Sequence, residues 1–136
     1  MGGSVRQKSC LAAADAQKIV AACRVEAEKN KWNVSIAVVD EGGFLLRLER
    51  LDGAVGQSAE IATLKAQTAA STRTPTKTLE DIVKERPAMA AMPGRLAVQG
   101  GLPIMHQGEC VGGVGVSGVK SFEDEQVAAA GIQALA

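Results

Sequence analysis

A chain of 136 residues is long enough for one domain with its own core, and at 46% hydrophobic residues it favours a packed globule over disorder. Fifteen basic residues are balanced by fifteen acidic ones without a Lys/Arg cluster, which argues against a nucleic-acid surface, and with only Trp32, Phe44 and Phe122 as aromatics there is no platform for base stacking. Cys10, Cys23 and Cys110 are odd in number and form no C-x-x-C pair, so they read as reduced thiols of a cytoplasmic protein; no stretch reads as a signal peptide or membrane span.

Residues 11–30 place Ala12, Ala16, Ile19, Cys23 and Ala27 on one face and Lys18, Glu26 and Lys29 outside, the spacing of an amphipathic helix. Asn33 breaks that pattern. Residues 34–39 are apolar on both parities and predict a central strand, Asp40 to Gly43 a hairpin turn, and residues 44–51 a returning strand. In the second strand Phe44, Leu46, Leu48 and Arg50 share a face. A helix is expected over 58–71, where Ala59, Ala62, Ala66 and Ala69 form a small-residue seam that permits close approach to a neighbour.

Thr78 to Asp81 resembles a capping box opening a short helix that ends before Pro87. Residues 87–96 read as a loop or lid. Strands are expected over 96–99, 102–107 and 110–117, and Ser121 with Asp124 caps a last helix carrying Val127, Ala130 and Ala134 inward. The order α-β-β-α-α-β-β-β-α is that of an α+β protein: a five-stranded, mostly antiparallel sheet flanked by helices, in a single domain over residues 1–136.

Residues 113–118 match the dinucleotide fingerprint G-x-G-x-x-G. Only 18 residues follow Gly118, too few for the helix, second strand and ribose-binding acid which that motif needs. The stretch reads instead as a glycine-rich strand. Gly113 and Gly115 share one face, Val114 and Val116 the other. The valines enter the core. The glycine face is bare backbone on which a helix, a subunit or a flat ligand can lie.

Several motifs occur in a fixed order: Ala37-Val-Val-Asp40 with Gly42-Gly43; Arg50-Leu-Asp-Gly-Ala54; Lys65-Ala66 with Thr68-Ala69; Gly100-Gly-Leu-Pro-Ile104; Val111-Gly-Gly-Val-Gly-Val-Ser-Gly118; and Asp124. In these the chain, from about Leu11 to Leu135, resembles the GlcG/HbpS-like family, also called the haem-degrading or DUF336 family, which includes the C-terminal domain of PduO-type proteins. The resemblance implies a five-stranded antiparallel sheet with flanking helices and a tendency to form dimers and larger assemblies. It also implies a link to haem binding, haem or iron handling, cobalamin-related pathways or catabolic operons.

The residues suggest a ligand site of their own. Arg50 sits on an apolar parity near a strand end, where a guanidinium is costly unless paired; it can grip a carboxylate or form an ion pair with Asp40, Asp52 or Glu60. Lys65, Thr68 and Ser58 share a helix face, and with Arg50 they would line a pocket for carboxylates or haem propionates, the alternative being a solvated face. Asp40 reads either as a turn carboxylate or as polar lining. Gly113 and Gly115 join the candidate ligand-binding set as a close-approach surface. His106, the one histidine, is a candidate metal or haem ligand, and Met89, Met92 and Met105 are weaker ones.

Three functions compete on this reading. The first is a small-molecule binding protein with haem or another tetrapyrrole as ligand and cofactor. The second is a catabolic enzyme acting on a small carboxylate by acid–base chemistry, as an isomerase or hydrolase. The third is a structural or assembly protein. A homo-oligomer is expected in each, and neither nucleic acid nor membrane is an expected partner.

Overall fold

The apolar stripe of the N-terminal region folds as α1 (Ala13–Lys29), which buries Ala16, Ile19, Val20, Cys23 and Ala27. The computed structural model describes residues 3–136. Strand β1 (Ser35–Asp40) is buried nearly throughout, as its two-sided apolar sequence requires. It pairs with β2 (Leu45–Arg50) on one side and β4 (Glu109–Ser117) on the other, and β4 pairs with β3 (Gly101–His106). Every pairing is antiparallel, and the order is β2-β1-β4-β3.

Helix α1 and the last helix, α4 (Ser121–Gln133), cover one face of this sheet. Their side of the core holds Ile19, Ile36, Val38, Val114, Val116 and Val127. They meet at Gly131, where an added Cβ would press on the Cys23 sulfur. Gly131 and Ala128 thus line the inner face of α4 with Val127, while Ala134 is exposed.

Helix α2 (Gln57–Thr72) lies on the other face. Its Ala62, Ala66 and Ala70 pack on Ala37 and Val39. Over Gly113 and Gly115 the helix backbone itself sits on the strand: a Cβ at either glycine would overlap a helix carbonyl oxygen, Ala66 O or Ala62 O. The fingerprint glycines of the sequence therefore serve a helix–sheet contact inside the chain.

The sheet has four strands, not five. Residues 96–99 form no ladder: two of their amides are taken by side chains, and the Val98 N–H turns back on Leu96 O (2.9 Å). Leu96 N–H donates to Thr68 Oγ1 (2.9 Å) and Gln99 N–H to the carboxylate of Glu80 (3.2 Å). The short helix, α3 (Thr76–Glu85), starts before the expected box, immediately after Pro75. Thr76 turns inward, and its Oγ1 accepts the Gly101 N–H at 2.9 Å. A 3-10 turn over Pro87–Ala91 follows. Helix α4 is closed at its start by Lys120 N–H on Glu123 (3.2 Å), while Asp124 takes the Val119 N–H (3.1 Å).

Strand β2 stands at the sheet edge. Phe44 just before it is 75% exposed, and Leu45, Leu46 and Leu48 are exposed as well.

Candidate ligand-binding cavity

The β3–β4 hairpin carries an irregularity that shapes the site. Ile104 pairs with Gly112 but Met105 with Cys110, so Val111 is an extra residue on β4. Such a bulge re-aims the side chains around it. Cys110 turns to the α2 side, where its thiol lies 3.8 Å from Ala70 O. Val111 joins the core on the α1–α4 side. The hairpin then closes through Gln107 and Gly108, both at positive φ (49° and 81°), with His106 and Glu109 opposite one another.

On the Val111 side the chain forms a half-open cavity of about 480 Å³, within the range of small-molecule sites. Leu11, Ile104, Val111, Ile132 and Leu135 give it apolar walls, and Ser9, Cys10, Met105 and His106 supply the polar or polarisable groups. Asp15 lies at the edge, with its carboxylate accepting the Ala12 N–H at 2.8 Å. Two donors, the His106 imidazole and the Cys10 thiol, thus stand at the wall of one apolar space, while Met105, paired with Cys110, has the opposite strand parity and stands between this space and the α2 side. That donor set suits haem iron. Among the described residues no group of three or more His, Cys, Asp or Glu could hold a free metal ion.

A second cavity of about 310 Å³ adjoins the first, with Ser9 and Met105 in both walls. It is polar: Arg6, Lys8, Arg73, Glu41 and Glu109 surround Cys110. Lys8 lies 3.4 Å from one oxygen of Glu41, whose other oxygen is buried without a hydrogen-bond partner. Glu109 accepts the Ser9 N–H at 3.2 Å. A third cavity, beside Trp32 and Asp52, is edged by Arg24, whose charge is met by Glu28 (2.9 Å) and Glu49 (2.8 Å).

The residues singled out in the sequence are distributed otherwise. Lys65 is fully enclosed. Its Nζ lies 3.1 Å from Asp124 Oδ2 and donates to Val116 O at 3.0 Å. Gly100 makes this passage, since a Cβ there would stand 2.7 Å from Lys65 Nζ. Burial raises the pKa of Asp124, and the Lys65 ammonium pulls it down by less. Thr68 is buried too, donating to Leu64 O (2.7 Å) and accepting from Leu96.

Arg50 is exposed at the end of β2, lies against Gly56 and makes no ion pair with Asp40, Asp52 or Glu60. Arg50, Lys65 and Thr68 line none of the three cavities. Asp40 holds its turn, with Oδ1 accepting from Gly42 (2.9 Å) and Phe44 (3.0 Å). Gly113 and Gly115 are covered by α2. Of the candidates, His106 and Met105 reach a cavity. The cavity's other walls, Ser9 to Leu11 and Ile132 to Ala136, lie near the two ends of the chain, where no periodic signal marks them.

The model of the family described as haem degrading protein HbpS-like matches residues 11–133. The chain belongs to the HbpS-like family. Protein GlcG of Escherichia coli K12 is 42% identical over 114 residues, which are 83% of this chain and 85% of GlcG. A double mutant of Streptomyces reticuli HbpS is 39% identical and superposes with a TM-score of 0.93, covering 100% of this chain and 94% of its own. The structure of a PduOC–heme complex is 26% identical with a TM-score of 0.85, covering 93% of this chain and 95% of that one. The α+β fold built above is thus the HbpS fold, and no described helix is long and apolar enough to cross a membrane.

Proposed function

We propose that this protein binds haem in the 480 Å³ cavity between the N-terminal segment, β3 and the end of α4. The observation that carries the reading is the meeting of His106 and Cys10 on one apolar cavity. Imidazole and thiolate are usual axial partners of haem iron, and the aliphatic walls would cover one part of the macrocycle. A relative of the same fold whose structure is a heme complex supports the choice of ligand. The bound group would supply redox and ligand-exchange chemistry at its iron. The chain would supply the axial donor, the apolar walls and the limit on solvent access.

The acid–base reading asked Arg50 and Lys65 to share a carboxylate pocket. Lys65 is instead committed to Asp124 and Arg50 points to solvent, so no observation favours that reading over binding.

The test is a haem titration of the purified protein followed in the Soret region. Wild type is expected to shift the band at micromolar haem. His106→Ala, Cys10→Ser and Met105→Leu, made singly, identify the axial donor by the change in band position. No shift in wild type rejects the proposal.

We also propose that the exposed edge of β2 pairs with β2 of a second copy. An antiparallel register centred on Leu48 sets Arg47 against Glu49 of the other copy and covers the leucines, a self-complementary arrangement. Sedimentation of Leu48→Lys against wild type tests this. The variant is expected to lose mass by a factor of two, and an unchanged species would reject the β2 contact.

A further inference from the structure

We infer that the two cavities meeting at Ser9 and Met105 act as one site, in which Arg6 and Arg73 take the carboxylates of a ligand whose apolar body fills the larger cavity. This rests on the binding reading above and deepens it. It names an apolar dicarboxylate as the ligand class and assigns a recognition role to residues outside the proposed iron-binding set.

The argument is one of charge and continuity. The larger cavity offers aliphatic walls and no Lys or Arg to meet a carboxylate; its one charged side chain, Asp15, accepts the Ala12 N–H at the start of α1. The smaller cavity is its complement, with three cations against two carboxylates. Glu109 is engaged by the Ser9 amide and one oxygen of Glu41 by Lys8, while the other Glu41 oxygen is buried without a partner, so the cations outnumber the carboxylates by one. Neither Arg6 nor Arg73 makes an ion pair with any described residue. Two guanidinium groups are therefore left at the wall of a cavity that shares Ser9 and Met105 with an apolar one, and a guanidinium matches a carboxylate with two parallel hydrogen bonds.

Arg73 is held there by the backbone. It ends α2 in the left-handed region (φ 54°), with its N–H returned to the last turn of the helix. The carbonyl end of α2 opposes an anion at this place. That opposition comes from a fractional charge at a helix end and is weaker than two charge-assisted hydrogen bonds. Haem carries its two propionates on one edge, so its macrocycle can lie in the apolar cavity while that edge reaches across Ser9 and Met105.

The experiment compares haem with its dimethyl ester, which keeps the ring and iron but has no carboxylates. Both are titrated in the Soret region at low salt into wild type and an Arg6→Ala/Arg73→Ala variant. Wild type is expected to prefer haem by roughly tenfold or more, the equivalent of about 1.4 kcal/mol. The double variant should bring that preference to within about twofold and leave ester binding unchanged, a ratio readable to that precision by titration.

Haem binding with no preference over the ester, or a preference that survives in the variant, overturns this inference and leaves the binding proposal standing. Failure of wild type to bind haem at all overturns both. If the double variant does not fold, the wild-type comparison still decides, repeated at high salt, where a carboxylate–arginine preference must shrink.

Discussion

Lys65 Nζ and Asp124 Oδ2 stand 3.1 Å apart with both side chains 3% exposed, and by that contact the helix on one face of the sheet is tied to the helix on the other. The remaining valences are met within the chain, by Val116 O for the ammonium and Val119 N–H for the carboxylate. Breaking such a pair strands a charge in the interior. Asp124→Leu or Lys65→Met alone is expected to cost about 3–5 kcal/mol. The double variant Lys65→Met/Asp124→Leu should recover most of that loss, because two desolvated charges are replaced by apolar groups. Urea unfolding of the four proteins measures this. A double variant no more stable than the worse single would show that the pair contributes more than a hydrophobic bridge.

The same carboxylate sets a pH dependence. Its folded pKa is raised, chiefly by burial, so between the ordinary carboxylate value and the raised one the folded state holds a proton that the unfolded state has lost. The slope of unfolding free energy with pH is then negative for this group. Its contribution weakens as pH rises through that window and levels off above it. Asp124→Asn removes that fall. Thermal melts across the acid range should show a wild-type-minus-variant difference that declines as pH rises. A difference that grows with pH would mean the ion pair outweighs the burial.

Close contact between α2 and β4 predicts a steep cost for a single methyl group. Gly115→Ala drives a Cβ into the Ala62 carbonyl and is expected to destabilise by about 1–3 kcal/mol or more, since a helix backbone gives less readily than a side chain. Gly108→Ala, in the open hairpin turn, meets nothing within 4 Å and costs only its positive φ of 81°. Comparable denaturation midpoints for the two would contradict the packing described.

The three thiols should separate by reactivity. Burial pushes the Cys23 thiol up to about 12, whereas Cys10 is exposed at the cavity and Cys110 is half-covered. With a thiol-specific chromogenic reagent near pH 8, Cys10 is expected to react first and Cys23 only after unfolding. Bound haem should slow Cys10. Equal rates with and without haem would place the ligand elsewhere.

The two-sided apolar run of β1, the Asp40 turn and the glycine strand were legible in the sequence because each is local. The expected strand at 96–99 was misread because much of what decides it is distant: Thr68 and Glu80 claim the amides of Leu96 and Gln99. Lys65 stood one position from the alanine seam, so its helix face could be read. Its partner is 59 positions away and became visible only when α4 was placed on the opposite side of the sheet. The cavity was harder still. Its walls come from segments near both chain ends and from a bulge, and neither carries a periodic pattern.

Those walls bring residues 9–11 and 135–136 to the same opening. An affinity tag of histidines joined after Ala136 would begin at the cavity rim and place imidazoles within reach of an incoming iron porphyrin. Spectra of tagged protein would then report the tag's own coordination, and only material free of the tag can assign an axial ligand to this fold.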